Sequence, residues 1–179
     1  MRIERSVLAV FTLLVFVGLT GCGSRQPPPK ETEAPAALPF APPSQGGFGG
    51  IACGAPPEPN MKLVRTAGDV TFYTRPSDPT QLPGGQLSGE TYRFYNNQFE
   101  GAMLQTSDAN SSAALLVHMR NVVGPGQLIS PIGPKYSWGD SNLSVEYDRE
   151  AGSPASAVVV GCRKVQARHQ AAVRAAPQH

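Results

Sequence analysis

The sequence contains few of the residues on which enzyme sites depend. Its 179 residues include three histidines, three cysteines and one tryptophan. It has no Gly-x-Ser-x-Gly elbow, His-Glu-x-x-His pair or Walker loop, which are signatures of hydrolases, zinc peptidases and nucleotide-binding proteins. The formal net charge of +2 implies no strong field for nucleic acid. We therefore expect no enzymatic activity, no cofactor, no metal site and no nucleic-acid partner.

The sequence also lacks an apolar run long enough for a permanent transmembrane helix. The N-terminal run, residues 6–18, follows Arg2 and Arg5 and leads into Leu19-Thr20-Gly21-Cys22. Its length suits the apolar region of a signal peptide and is too short to span a bilayer. Basic residues, an apolar run, small residues and a cysteine, in this order, resemble the lipobox signal of bacterial lipoprotein precursors.

The resemblance implies that residues 1–21 are a signal peptide, cleaved between Gly21 and Cys22. It also implies a diacylglyceryl group on the Cys22 thiol, so the membrane becomes a partner through this lipid. Each buried methylene contributes about 0.8 kcal/mol, and two or three acyl chains therefore anchor a protein stably. The expected location is the bacterial cell envelope. Gly23 rather than Asp follows the cysteine, which favours the outer over the inner membrane in a diderm organism.

Residues 22–60 are rich in proline and glycine, and predict a lipid anchor followed by a flexible tether. Proline removes backbone donors and glycine resists ordering, so such a segment forms no packed core. An aromatic-grooved partner that binds the prolines is the alternative interpretation. The folded domain is expected over 61–162. Residues 163–179 contain four cations and no acid, and predict a basic flexible tail, with a short basic helix as the alternative.

Lipidation of Cys22 would leave Cys53 and Cys162 as an even pair. Outside the cytoplasm such a pair predicts one disulfide, with two unpaired thiols as the alternative. The bond would close a loop of about 110 residues and contribute on the order of 4 kcal/mol.

Hydrophobic periodicity predicts an α+β fold. Alternating residues indicate strands, with a hairpin turn at Asn96-Asn97, over residues 69–75, 90–95, 98–106, 135–139, 143–148 and 156–162. Residues 108–123 instead place apolar side chains three and four apart, between a capping Ser107 or Asp108 and a terminating Gly124. We expect an antiparallel sheet of about five or six strands with one helix packed on one face.

Aromatic residues on the predicted strands are the best candidates for binding. Tyr92 lies on one strand, and Tyr136 and Trp138 share a face of another. If exposed, these rings would form a stacking platform for a glycan or a partner protein; if they face the helix, they are core, which is the interpretation we favour.

The remaining chemical candidates are one histidine and a series of acids. His118 lies on the predicted helix, and Glu146, Asp148 and Glu150 alternate along a strand and the following turn. A solvated strand face is the favoured interpretation of the acids. The sequence thus predicts a lipid-anchored, non-catalytic envelope protein with a structural or protein-interaction role. A glycan- or cell-wall-binding module is the alternative, and a hydrolase is the second alternative.

Overall fold

A computed structural model of the protein describes residues 46–176. The elements in this part of the chain, in order, are β1 Gly47–Phe48, β2 Ile51–Ala52, β3 Lys62–Ala67, β4 Val70–Thr74, β5 Gln81–Leu82, β6 Gly85–Gln86, β7 Gly89–Tyr95, β8 Gln98–Thr106, α1 Ala109–Val123, β9 Gln127–Ser130, β10 Lys135–Gly139, β11 Leu143–Asp148, β12 Ser156–Cys162 and α2 Arg163–Ala175. The lipobox, the signal peptide and most of the predicted tether lie outside the described residues.

Eight strands form one antiparallel sheet, in the order β3-β4-β7-β8-β12-β11-β10-β9. The chain builds one half of the sheet before α1 and the other half after it, and the two halves join where β8 pairs with β12. The α+β class is therefore confirmed. The sheet is larger than the five or six strands predicted, and a second helix is present.

Of the eight strands in this sheet, hydrophobic periodicity did not predict β3 and β9, which form its two edges. All six residues of β3 are exposed, and its pairing with β4 shifts register between Leu63 and Arg65. β9 has four residues, none of them fully buried. Alternation arises because one face of a strand is buried and the other is not. An edge strand that buries little of either face carries no such signal.

The two faces of the sheet are covered differently. Side chains on one face, which we call the closed face, include Tyr92, Leu104, Tyr147 and Val158, all at most 1% exposed. Helix α1 packs against the closed face and buries Leu115 and Met119, among others, beneath it. Within residues 46–176, the opposite face, which we call the open face, has no such layer along most of its length.

Helix α1 and the preceding hairpin match the sequence-based prediction closely. Asn96 and Asn97 have φ of 48° and 58°, which are the positive values that a two-residue hairpin turn requires. The Asp108 carboxylate accepts a hydrogen bond from the Ser111 backbone N–H at 2.9 Å, so Asp108 is the N-cap. Gly124, at φ 109°, ends the helix.

The N-terminal boundary of the folded part differs from the prediction, because the last residues of the predicted tether, 22–60, are packed. Phe48 and Ile51 are each 3% exposed, and Gly49 and Gly50 adopt positive φ in the turn between β1 and β2. The Phe99 N–H donates to the Ala55 carbonyl at 2.8 Å. Glycine here marks a tight turn rather than a floppy linker.

The C-terminal boundary also differs, because the predicted flexible tail, 163–179, contains helix α2. This helix follows β12 directly and buries Val165. Its Gln166 side chain fills the space above Gly161, and its His169 ring stacks on Tyr95 with centroids 4.4 Å apart. These contacts place α2 over the end of the open face next to the Asn96-Asn97 turn. The helix alternative for this segment is thus the correct one.

Cys53 and Cys162 form a disulfide bond in the structure. The Sγ atoms of Cys53 and Cys162 lie 2.04 Å apart and their Cα atoms 5.6 Å apart, which is a disulfide across 109 residues. Because Cys162 immediately precedes α2, the bond joins the segment after β2 to the start of the C-terminal helix. The pairing predicted from an even count is therefore present.

Candidate functional site

The aromatic residues proposed from the sequence are not brought together. Tyr92 on β7 is completely buried, and three strands separate it from Tyr136 and Trp138 on β10. Trp138 is 8% exposed, and its Nε1 donates to the Gly124 carbonyl at 2.8 Å. The half-buried Tyr136 stacks on Trp138, and Arg120 lies above the Tyr136 ring at 4.6 Å. These rings belong to the closed face, as the core interpretation predicted.

The histidine and the acids proposed from the sequence lie on opposite sides of the sheet. Burial lowers the pKa of His118, which lies on α1 over the closed face. Glu146 and Asp148 alternate with buried residues of β11 and project from the open face. Asp148 forms a salt bridge with Lys135, with 2.7 Å between Oδ2 and Nζ. The fold therefore does not assemble these groups into one site.

A polar cluster on the closed face links three segments through Arg75. Its guanidinium lies 2.6 Å from Asp78 Oδ1 and 3.0 Å from Glu58 Oε2, and donates to the Gly49 carbonyl at 2.8 Å. Burial acts to lower the pKa of Arg75, but the interactions with Tyr92, Asp78 and Glu58 raise it overall. The charged guanidinium thus holds the β1–β2 turn and the loop after β4 against the sheet.

The hydroxyl of Tyr92 connects this cluster to Glu90. It lies 2.5 Å from Asp78 Oδ2 and 2.6 Å from Glu90 Oε1. A phenol has a single proton, so it can donate to only one of two carboxylates. Burial raises the pKa of Glu90 to about 7, and Asp78 adds to this effect. With a pKa near 7, Glu90 can hold a second proton below neutral pH and then donate it to the Tyr92 oxygen, while Tyr92 donates to Asp78.

The open face contains a cleft, which we call the open-face cleft. It has a volume of about 400 Å³ and is lined by Val64, Arg65, Phe72, Thr91, Arg93, Gly101, Ala102, Met103, Val159 and Val160. Its floor includes Gly101 of β8, which has no side chain. A Cβ atom on Gly101 would lie 2.1 Å from the Val160 carbonyl oxygen, so only glycine fits there.

Two arginines line this otherwise apolar cleft. The Arg65 guanidinium lies 3.8 Å from the centroid of the Phe72 ring, a cation–π arrangement. Arg93 Nε lies 3.0 Å from Glu100 Oε2. Glu100 is the extra residue of a bulge, since Phe99 pairs with Phe94 and Gly101 with Arg93. The bulge directs its carboxylate, 2% exposed, towards Arg93 and His169.

The residues of the open-face cleft were not predicted from the sequence, although consecutive apolar residues in two strands indicate an apolar surface there. A strand with one solvated face alternates apolar and polar residues, whereas β12 contains Val158, Val159 and Val160 in succession. β8 likewise places Met103 beside Leu104. Consecutive apolar residues in central strands indicate that both faces of the sheet carry apolar side chains.

Comparisons with known proteins name no family for this chain. No protein-family model matches it, and neither a curated protein nor a solved structure does.

Residues 46–176 contain no helix that is both long and apolar enough to cross a membrane. The same residues do not place three or more His, Cys, Asp or Glu side chains where they could hold a metal ion.

Proposed function

We propose that this protein is a non-catalytic binding module, held on a bacterial envelope membrane by a lipid on Cys22, and that the open-face cleft is its binding surface. The observation that carries the proposal is an apolar cleft on the part of a sheet face that no element within residues 46–176 covers. Antiparallel sheets usually present polar side chains on a solvated face. Here Phe72, Met103 and Val159 lie there instead, and Val159 is 45% exposed.

The energetics favour an occupant. Complete burial of a Val, Met or Phe side chain contributes about 1.5–3 kcal/mol. A partner that covers several such side chains gains this contribution, while the isolated domain does not. The cleft volume of about 400 Å³ also falls within the range typical of small-ligand sites, about 300–1,000 Å³.

The sequence supports the proposed location. The lipobox implies a lipid anchor at Cys22, and the proline-rich segment after it would hold the domain away from the membrane surface. A disulfide between Cys53 and Cys162 is what an oxidising compartment permits. In a diderm organism we favour the outer membrane, because Gly23 rather than Asp follows the lipidated residue.

The two alternatives from the sequence receive no comparable support. A glycan platform needs exposed aromatic rings, but Tyr92 and Trp138 are buried. A hydrolase needs an acid and a base on one site, but His118 and the acids of β11 project from opposite faces.

The proposal is tested with a neutral apolar dye, N-phenyl-1-naphthylamine, titrated into the purified full mature chain. We expect saturable fluorescence enhancement with one dye per chain. Val159→Glu places a charge in the cleft and should weaken dye binding at least tenfold. The matched control is Val117→Glu, because Val117 is similarly exposed, at 56%, but lies on α1 on the other side of the sheet.

Circular dichroism of both variants verifies that they are folded. Unsaturable dye binding, or equal weakening by Val159→Glu and Val117→Glu, would contradict the assignment of the open-face cleft as the binding surface.

A further inference from the structure

We infer that the ligand of the open-face cleft is a single-chain amphiphile with an anionic head group, such as a fatty-acid carboxylate. This inference rests on the proposed function, since it assigns a chemical class to the occupant of the same cleft. Three features of the cleft support this class of ligand: the chemistry of its floor, the charge at its rim and its size.

The floor favours an alkyl chain over a peptide. The backbone N–H and C=O groups beneath the cleft belong to β4, β7, β8 and β12 and pair within the sheet. A peptide backbone laid on this surface would bury amides without partners, which is unfavourable. An alkyl chain has no polar groups to satisfy, and it can lie on Met103, Val159 and the bare backbone of Gly101.

The rim favours a negative charge. Among residues 46–176, no acidic side chain forms a salt bridge with Arg65, whose guanidinium is held against Phe72. Arg93 shares the single carboxylate of Glu100 with His169. Glu100 therefore pairs with Arg93 but not with Arg65, and the unpaired guanidinium of Arg65 leaves a positive charge at the edge of an apolar surface. A guanidinium pairs well with a carboxylate because its N–H donors match the two oxygens.

The size favours one acyl chain. The cleft volume of about 400 Å³ lies at the lower end of the small-ligand range of about 300–1,000 Å³. Arg65 on β3 and Val159 on β12 lie on opposite sides of the cleft, with β4, β7 and β8 between them. A single chain on Val159 and Met103 would therefore direct its head group towards Arg65 and Arg93.

The test compares three amphiphiles with the same twelve-carbon chain, used below their micelle concentrations to displace the neutral dye from the full mature chain. Dodecanoate is anionic, dodecyltrimethylammonium is cationic and dodecyl maltoside is neutral. We expect dodecanoate to displace the dye at a concentration at least tenfold lower than the other two. Arg65→Gln should reduce this preference at least threefold, measured against the dye affinity of the same variant.

The matched control is Arg120→Gln. Arg120 also stacks on an aromatic ring, that of Tyr136, but lies on α1 rather than at the open-face cleft. It should retain the full preference for dodecanoate. We chose Arg65 rather than Arg93 because loss of Arg93 would leave the buried carboxylate of Glu100 without its guanidinium.

The outcomes separate the inference from the proposed function. Equal displacement by all three amphiphiles overturns the anionic head group but leaves the cleft as a binding surface. Absence of saturable dye binding overturns both. Binding to vesicles of anionic two-chain lipid, without displacement by free dodecanoate, also overturns the inference, because the occupant would then be a membrane surface.

Discussion

At the scale of single residues, Tyr92 combines a core position with a polar network. Its ring packs against Phe48 and Phe99, with centroids 6.2 and 6.3 Å away, while its hydroxyl contacts Asp78 and Glu90. Burial, followed by the two neighbouring acids, raises its pKa, so the phenol keeps its proton. Through this proton, Tyr92 donates a hydrogen bond to Asp78 and so holds the loop after β4 against the sheet.

Glu90 makes the stability of the protein depend on pH. Its pKa is about 7 in the folded chain against an ordinary value of 4.5. Between these values the folded chain holds a proton that the unfolded chain has lost, so the free energy of unfolding falls as pH rises. Glu90→Gln cannot ionise. We expect it to match the wild type near pH 5 and to be more stable by about 1–3 kcal/mol at pH 8.

Urea denaturation of both proteins from pH 5 to pH 8 measures this difference. Glu146→Gln is the matched control, because Glu146 is an exposed carboxylate on β11. It should leave the pH dependence unchanged. A Glu90→Gln variant with the same pH dependence as the wild type would show that Glu90 does not carry the second proton.

At the scale of elements, a buried hydroxyl network joins α1 to the centre of the sheet. Thr106 of β8 lies 2.8 Å from Ser112 Oγ on α1 and 2.9 Å from Ser156 Oγ on β12. Ser112 also donates to the Pro154 carbonyl, and Tyr147 donates to the Ser112 carbonyl. The network sets the position of α1 along the closed face.

Two isosteric substitutions test the value of this network. Thr106→Val removes a buried, fully engaged hydroxyl and leaves Ser112 and Ser156 short of a partner, so we expect a loss of about 1–3 kcal/mol in the free energy of unfolding. Thr71 is the matched control, because its Oγ1 is buried but forms no hydrogen bond within residues 46–176. Thr71→Val should leave the free energy of unfolding unchanged or increase it. Equal losses in urea denaturation would contradict a special contribution from Thr106.

The elements that the sequence predicted correctly are those whose burial differs between two faces. β11, with Leu143, Val145 and Tyr147 buried in alternation, is one example. Helix α1, with its Asp108 cap, is another. The edge strand β3 was missed because it buries no side chain, and α2 was taken for a flexible tail because Val165 is the one fully buried residue among its polar neighbours.

At the scale of the whole molecule, the two helices divide the sheet into unequal surfaces. Helix α1 covers the closed face, while α2 covers the end of the open face near Tyr95. Among residues 46–176, no helix covers the part of the open face where the open-face cleft lies. The proposed function follows from this division.

The anchor is tested on the whole chain in a bacterial host. Cys22→Ala removes the thiol to which the lipid would attach. We therefore expect that the variant carries no lipid, that it is not cleaved before residue 22, and that the lipidated form is lost from the membrane fraction. Mass spectrometry of the N-terminal peptide and membrane fractionation measure both. Cys53→Ala is the control, since it removes a cysteine but not the lipobox. Unchanged processing and lipidation of Cys22→Ala would refute the anchor.

Local order in the sequence determined the strands with one buried face, the capped helix, the even cysteine pair and the expectation of a lipid anchor, because each depends on residues close together or on a simple count. Only the tertiary structure decided that Tyr92 and Trp138 are core and that Arg65, Arg93 and Val159 share a cleft. These residues come from β3, β7 and β12, and their proximity depends on strand order and on which face each side chain occupies. Neither property can be read from neighbours in the chain.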